Sequence, residues 1–434
     1  MKNDKKNFFQ IGIVMACIAV FVFAILVFAG KINIGKSSQS KSESIVVVWG
    51  VLPAEKIQPV LDNNKTPLMQ YIYRQVSEES FRNTLLEAIA NGTSPDLLLY
   101  DTKTLYTLRD KIAVIPYTTY PEATFRQTYA DGTDILLTST GSYGLPILID
   151  PMVMYYNRDI FARAGYANPI TNWDELYTIA PTITKKNTNG TFAISTVPFG
   201  LAENIPYAKD TLVTLFGQAG VPMVFTNNDT FFANLTRSVY GDDSAGLSMV
   251  NFYMQFSNPT SDYYSWNRLM PDAKTAFVQN SLALYPGYAS ELFELRQRNP
   301  NLNFAPSLMP QLKGAQTYFT NGNMYALGVS LSSLQPVAAY EGLYAISSNT
   351  VVTQISQSMS LPPADRTLLS VKPETTYAPV FYRSALFTHT WMDPNSKDTT
   401  NRFGSMVADI STGRLTATDA LAKLEREISA ILNP

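Results

Sequence analysis

The sequence predicts an α/β body of two lobes, each a sheet flanked by helices, preceded by one N-terminal transmembrane helix. Three observations carry that prediction. About 390 residues follow Ser44, more than one hydrophobic core ordinarily serves. Apolar β-branched runs alternate with amphipathic stretches, so strands and helices take turns along the chain. Residues Ile11 to Gly30 carry no charge and no strongly polar group. At 1.5 Å per helical residue such a run spans about 30 Å, one hydrocarbon thickness.

Lys2, Lys5 and Lys6 precede the apolar run, and Lys31, Lys36 and Lys41 follow it. The positive-inside comparison is nearly tied, and orientation rests on the short leading segment. The favoured reading is a signal anchor: 1–10 cytoplasmic, 11–30 in the membrane, 31–44 a polar tether, the body outside. Two processing readings stay open. Val14-Met15-Ala16-Cys17 resembles a lipobox, although Met15 fits poorly and the apolar run continues past Cys17. Val27-Phe28-Ala29 offers small residues at a cleavable spacing, on a stretch long for a signal peptide. Each reading leaves the body extracytoplasmic. Gly30, Gly35, Lys36 and Ser37 match the P-loop pattern. A membrane span before them and a Ser-rich tether after them exclude the strand–loop–helix that cradles phosphate.

In the body, Ile45 to Trp49 is a continuous β-branched run, a strand buried on both faces. Ser80 to Ala90 carries Phe81, Leu85, Ala88 and Ile89 at helical spacing, and Asn91-Gly92 stops it. Leu97 to Tyr100 is a second buried strand ending at Asp101. This β-α-β order favours a parallel sheet, whose ligands sit outside the carboxyl ends of strands. Gly144 to Tyr156 reads as two apolar runs broken at Asp150-Pro151, with a short helix over 157–165. Asn172 is the expected N-cap of the next helix, with Glu175 completing a capping box. Ser244–Phe256 and Ala273–Asn280 read as helices, and Leu282–Tyr285 as a strand ending at Pro286-Gly287-Tyr288. Segments 221–243 and 349–379 look irregular. Leu415, Ala420, Leu421, Leu424, Ile428 and Ile431 give the last helix its apolar stripe.

Composition narrows the function. Lys+Arg number 33 and Asp+Glu 35, a net charge of −2, which argues against a nucleic-acid partner needing a basic face. Only 16% of residues are charged while 12% are aromatic, 25 of them Tyr, so rings and uncharged polar groups dominate. Cys17 and His389 are the only residues of their kinds, so no intramolecular disulfide and no Cys/His zinc site is available. No G-x-S-x-G or H-E-x-x-H occurs. The adjacent acids Glu78-Glu79 and Asp242-Asp243 read as surface charge rather than a hydrolytic pair. No catalytic residue, metal or cofactor is expected, and the protein is read as not an enzyme.

Six pieces, in order, carry a resemblance: Val46-Val47-Val48-Trp49; Ala90-Asn91-Gly92-Thr93-Ser94-Pro95-Asp96-Leu97; Tyr143-Gly144-Leu145-Pro146 with Met154-Tyr155-Tyr156-Asn157-Arg158-Asp159; Asn172-Trp173-Asp174-Glu175-Leu176; Ala276-Phe277 with Ala283 to Gly287; and Ser411-Thr412-Gly413-Arg414. Together the chain resembles the family 1 extracellular solute-binding proteins of ABC importers, the maltose-binding-protein group. The resemblance implies a type II periplasmic-binding-protein-like fold. It implies an N-lobe of 45–150 and 327–364 and a C-lobe of 151–326 and 365–434. It implies capture of a solute, most often a sugar or oligosaccharide, by lobe closure, and delivery to ABC permease subunits.

A sugar cleft wants aromatic faces against apolar C–H surfaces and carboxylates or amides for hydroxyls. Trp49 and Asp101, at strand ends, are candidates on that ground. Glu203 and Tyr207 precede a helix expected at Asp210. Tyr285 and Tyr288 flank Pro286-Gly287, where relatives carry stacking aromatics. Tyr325, close to Asn323, and Trp391 complete the expected ligand-binding set. Trp173 and His389 read as structural, and Trp266 as an exposed or cleft aromatic. Two rival functions stand beside solute capture: an adhesion or structural module on the same fold, and a glycoside hydrolase.

Overall fold

The structure is a computed structural model and describes residues 43–227, 230–236, 244–373 and 375–432. The expected membrane segment 11–30 with Cys17, the tether to 42, the P-loop-like residues and Asp242-Asp243 lie outside the described residues. Among the described residues no helix is long and apolar enough to cross a membrane. The body forms its own compact unit, which begins at Ile45.

The body is organised on a mixed nine-stranded sheet. Its strands are β1 (Ser44–Gly50), β2 (Met69–Gln75), β3 (Leu97–Asp101), β4 (Ile112–Ala113), β5 (Leu145–Asn157), β6 (Leu284–Tyr288), β7 (Phe304–Ser307), β8 (Thr320–Ser330) and β9 (Thr388–His389). The order is β6-β5-β8-β3-β1-β2, with β7 on β5, and β4 and β9 on β8. β1 and β3 are parallel neighbours, Val48 opposite Leu97, as their continuous apolar runs predict. Helix α1 (Phe81–Ala90) lies between them in sequence and buries Phe81, Leu85 and Ala88. It stops before Gly92, whose φ of +68° suits glycine.

The sheet is not parallel throughout. β8 runs antiparallel to both β3 and β5. The two apolar runs expected on either side of Asp150-Pro151 are one strand. Proline lacks an N–H, and Pro151 falls where β5 changes partners. Up to Pro151 it pairs with β8; from Met152 it pairs with β6. The same proline tolerance lets β6 run through Pro286-Gly287, where an end was expected.

Helix α2 (Arg158–Arg163) is capped by Asn157, whose side chain accepts the Ile160 N–H. Helix α3 (Glu175–Ile183) starts later than expected. The Asn172 side chain does not cap it. Instead the Glu175 carboxylate gathers the backbone N–H groups of Thr171 and Asn172, at 3.0 and 3.1 Å. Ahead lies α4 (Ala208–Gln218), followed by a short hairpin of Phe225–Asn227 with Thr230–Phe232. Helices α5 (Ala245–Met254) and α6 (Ala273–Val278) match the sequence reading, α5 capped by Ser244 and α6 by Asp272. Residues 349–379 are more regular than expected: α7 (Asn349–Met359) buries Val351, Val352 and Ile355 at helical spacing. Helices α8 (Ser396–Ser411) and α9 (Ala417–Leu432) close the chain, α9 burying Ala420, Leu421, Leu424 and Ile428.

Two tryptophans fill the core. Trp173 is buried, its indole N–H donating to Gln218 Oε1 at 2.6 Å. Trp266, expected at a surface or cleft, is fully buried. Asn204 Oδ1 accepts its N–H at 2.9 Å, so the polar edge that would favour exposure is satisfied inside.

Candidate functional site

The site follows from strand register. Alternate residues of a strand share a face, so Asn321, Asn323 and Tyr325 of β8 line one side. Asn323 stands opposite Asp150 of β5, and Tyr325 opposite Asp101 of β3. Directly paired residues point the same way. Tyr288, the last residue of β6, pairs with Met152, two residues beyond Asp150. Residues as far apart in the chain as Asp101 and Tyr325 thus meet on one face at the middle of the sheet.

Helix α4 adds Asp210. Its Oδ1 accepts the Tyr288 hydroxyl at 2.8 Å and the Asn321 amide at 3.0 Å. Beyond β3 the chain turns at Thr102–Thr104, and Asp101 caps the turn by accepting the Lys103 N–H at 2.9 Å. That turn sends the Lys103 ammonium to 5.2 Å from the Tyr288 ring centroid, a cation–π contact. Asp150 Oδ1 accepts the Ser290 N–H at 3.0 Å. Tyr207, at the start of α4, meets Tyr288 edge-on at 5.0 Å and Tyr285 at 6.5 Å. Glu291 accepts from the Tyr285 hydroxyl and the Tyr288 N–H, and pairs with Lys274.

Burial shapes the charges. It pushes the Asp101 carboxyl up to about 7, with Lys103 opposing and Glu78 and Asp150 adding to the rise. Burial likewise lifts Asp150 to about 6 against the hydrogen bonds from Ser290. For Lys103 burial disfavours the ammonium, but Asp101, Asp210, Glu78 and Asp150 outweigh it and hold the group above its usual range. The Tyr288 hydroxyl is raised by burial and then by Asp210, so it stays protonated. The amide oxygens of Asn321 and Asn323 are buried and have no hydrogen-bond partner. A buried acceptor without a donor is costly, so these oxygens are groups a ligand could satisfy. Among the described residues no group of three or more His, Cys, Asp or Glu side chains could hold a metal ion.

Of the residues nominated from sequence, Asp101, Tyr207, Tyr285, Tyr288 and Tyr325 come together here. Tyr285 is the innermost, stacked on Phe277 at 5.6 Å and Tyr155 at 6.2 Å, and backs Tyr207. The other three stand elsewhere. Trp49 is buried, with the Arg74 guanidinium 4.6 Å from its ring centroid. Glu203 is exposed, paired with Arg268 at 2.7 Å on the wall of a 540 Å³ hollow. Trp391 lines an open hollow of 820 Å³ with Phe319, Arg109, Asp131 and Asp134. His389 lines it too, stacked on Phe319 at 5.0 Å; burial lowers its pKa against the pull of Asp131 and Asp134.

Five cluster members were not nominated: Lys103, Asp150, Asp210, Asn321 and Asn323. Three had a signal. Asp150 is the sole charge in the apolar run 145–157, and Asn321 to Ala326 alternates polar and apolar residues. Lys103 and Asp210 had none, because only tertiary packing brings them in.

Comparisons with known proteins bear on the family and the fold. The family model described as bacterial extracellular solute-binding protein matches residues 72–341. A cyclic alpha-maltosyl-1,6-maltose binding protein from Arthrobacter globiformis superposes with a TM-score of 0.73 at 17% identity, over 90% of this chain and 99% of that one. The sugar-binding protein MalE of Xanthomonas citri gives 0.71 at 17% identity, over 90% and 97%. A cyclo/maltodextrin-binding protein complexed with maltotetraose gives 0.70 at 15% identity, over 89% and 97%. These likenesses establish the two-lobe α/β periplasmic-binding-protein-like fold. Three curated binding-protein relatives from Brucella abortus and Brucella suis are 35% identical over 91 residues, 20% of this chain. The chain spans 22% of the length of these relatives.

Proposed function

The chain belongs to the bacterial extracellular solute-binding proteins, which are not enzymes, and from that membership we propose that it captures a carbohydrate between its lobes and delivers it to an ABC importer. One observation carries the reading. Acids, amides and tyrosines from both halves of the sequence converge on one sheet face, with the buried oxygens of Asn321 and Asn323 unpartnered. Hydroxyl-rich sugars bring donors for those oxygens, and Tyr288 with Tyr207 brings ring surface.

The lobes divide as 45–150 with 327–364, and 151–326 with 365–434. β5 and β8 run between them, and the partner change at Pro151 lies beside the first crossing. Contacts cross the division. Lys103 lies over Tyr288, the Tyr106 hydroxyl donates to the Leu432 carbonyl at 3.0 Å, and Arg109 lies 5.4 Å from the Phe231 ring centroid. Closure draws its energy from contacts made only when both lobes meet the solute. The apolar segment 11–30 holds the body at the outer face of the cell membrane, where permease subunits collect the solute.

A melting scan and tryptophan fluorescence titration against neutral mono- and oligosaccharides test the reading. Expected are a raised melting temperature and a saturable emission change with at least one sugar. Silence toward every sugar, together with adhesion to polymer or cells, would overturn it in favour of a non-transport module.

A further inference from the structure

The hydrogen-bonding balance of the central cluster is lopsided, and this inference rests on the carbohydrate reading above. Asp101, Asp150 and Asp210 are all buried, and the one cationic side chain placed among them is Lys103. Three acids face one ammonium, so the cluster stays net negative even with Asp101 part-protonated near pH 7. The Oδ2 atoms of Asp101 and Asp210 take no hydrogen bond among the described residues. The Tyr288 hydroxyl has spent its proton on Asp210 and offers only lone pairs. Asn321 and Asn323, 3% and 8% exposed, each present an unpartnered amide oxygen to the same face. Acceptors therefore outnumber donors. A neutral sugar hydroxyl brings one donor and two lone pairs, and leaves that imbalance in place. An ammonium brings three donors, no acceptor and a positive charge.

We propose that the solute is an amino-bearing sugar whose protonated amine sits among Asp101, Asp150 and Asp210, against the Tyr288 ring and the two asparagine oxygens. Lys103 is the internal precedent: its ammonium already lies over the Tyr288 ring. The residue is tethered to β3 and half-buried, and its ammonium forms no hydrogen bond or ion pair among the described residues. The same carboxylates that hold it charged attract a second cation. A metal ion is a poor occupant, since the acids are not gathered closely enough to hold one.

Calorimetric titration of the full chain at pH 7 tests the proposal. The probes are glucosamine, galactosamine, mannosamine and the β-1,4-glucosamine trimer, each paired with its N-acetylated and its plain hydroxyl counterpart. The hydroxyl counterpart removes the charge at nearly constant size, and the acetylated one removes it while enlarging the group. The expected result is at least tenfold tighter binding of an amine form than of either counterpart. Lys103→Met is expected to widen that preference severalfold, because it removes the competing cation from the Tyr288 ring; Asp210→Asn is expected to narrow it. Equal or weaker binding of all amine forms overturns the proposal, as does a Lys103→Met variant that loses the preference. If neutral sugars bind and amines gain nothing, carbohydrate capture stands and this inference falls. Silence toward every sugar, charged or neutral, overturns both.

Discussion

Two lysines in this body are drawn toward buried acids, and their surroundings differ sharply. Lys209 is 5% exposed and its ammonium is fully engaged: Asp393 Oδ2 at 2.9 Å, Ser396 O and Oγ, and Thr399 Oγ1. Asp393 is equally enclosed, accepting from Thr399 as well. Lys103 faces more negative charge, but its ammonium forms no hydrogen bond among the described residues. The first arrangement is closed, with each polar group answered within the chain. The second is open, with acceptors left over. A satisfied buried pair is a device of structure; an unsatisfied cluster keeps its strongest interactions for something that arrives.

The comparison can be broken by substitution. Lys209→Met strands Asp393 in the interior and should cost about 3–5 kcal/mol of stability, read by chemical denaturation. Lys103→Met should cost less than about 1 kcal/mol, because Asp101 and Asp150 can take up protons instead. Comparable losses in the two variants would erase the distinction between them.

A second effect is one of pH. In the unfolded chain Asp101 and Asp150 titrate near 4. In the folded chain they titrate at about 7 and about 6. Between those limits the folded chain binds more protons than the unfolded one. Stability attributable to this pair therefore falls as pH rises from about 4 to about 7. Asp101→Asn should flatten that slope and raise stability at pH 8 by on the order of 2 kcal/mol, while weakening solute binding. A slope unchanged by the substitution would contradict the assignment of the raised carboxyl.

The smallest effect belongs to the rim. Glu203 and Arg268 are each 51% exposed at the side chain. An exposed pair contributes little, so Glu203→Gln should shift stability by less than about 0.5 kcal/mol. Solute affinity should change by less than about twofold. A large loss of affinity would move the solute toward the hollow that Glu203 lines.

Local pattern exposed much of the fold. The β-branched run at Val46–Trp49, the stripe of α1 and the stripe of α9 all fold as periodicity predicts. Where sequence reading went astray, pairing partners distant in the chain had decided the outcome. Asp150-Pro151 reads locally as a break. It is a strand interior because β8 supplies the pairing on one side of it and β6 on the other. Trp266 reads as a surface ring until Asn204, 62 residues away, is seen to satisfy its indole. The site was half legible for the same reason. Asp101 and Tyr288 announce themselves at the ends of apolar runs. Asp210 reaches the cluster only because α4 packs against β8, where it meets Asn321 and the Tyr288 hydroxyl. Trp49 had an equally good local argument, yet Arg74 covers its ring.

A crystal structure of the chain grown with a bound oligosaccharide tests the central claim most directly. The account predicts sugar density against Tyr288, within hydrogen-bonding reach of Asp150, Asp210 and the Asn321 and Asn323 amides. Density confined to the hollow beside Trp391, or to the one beside Glu203, would contradict it.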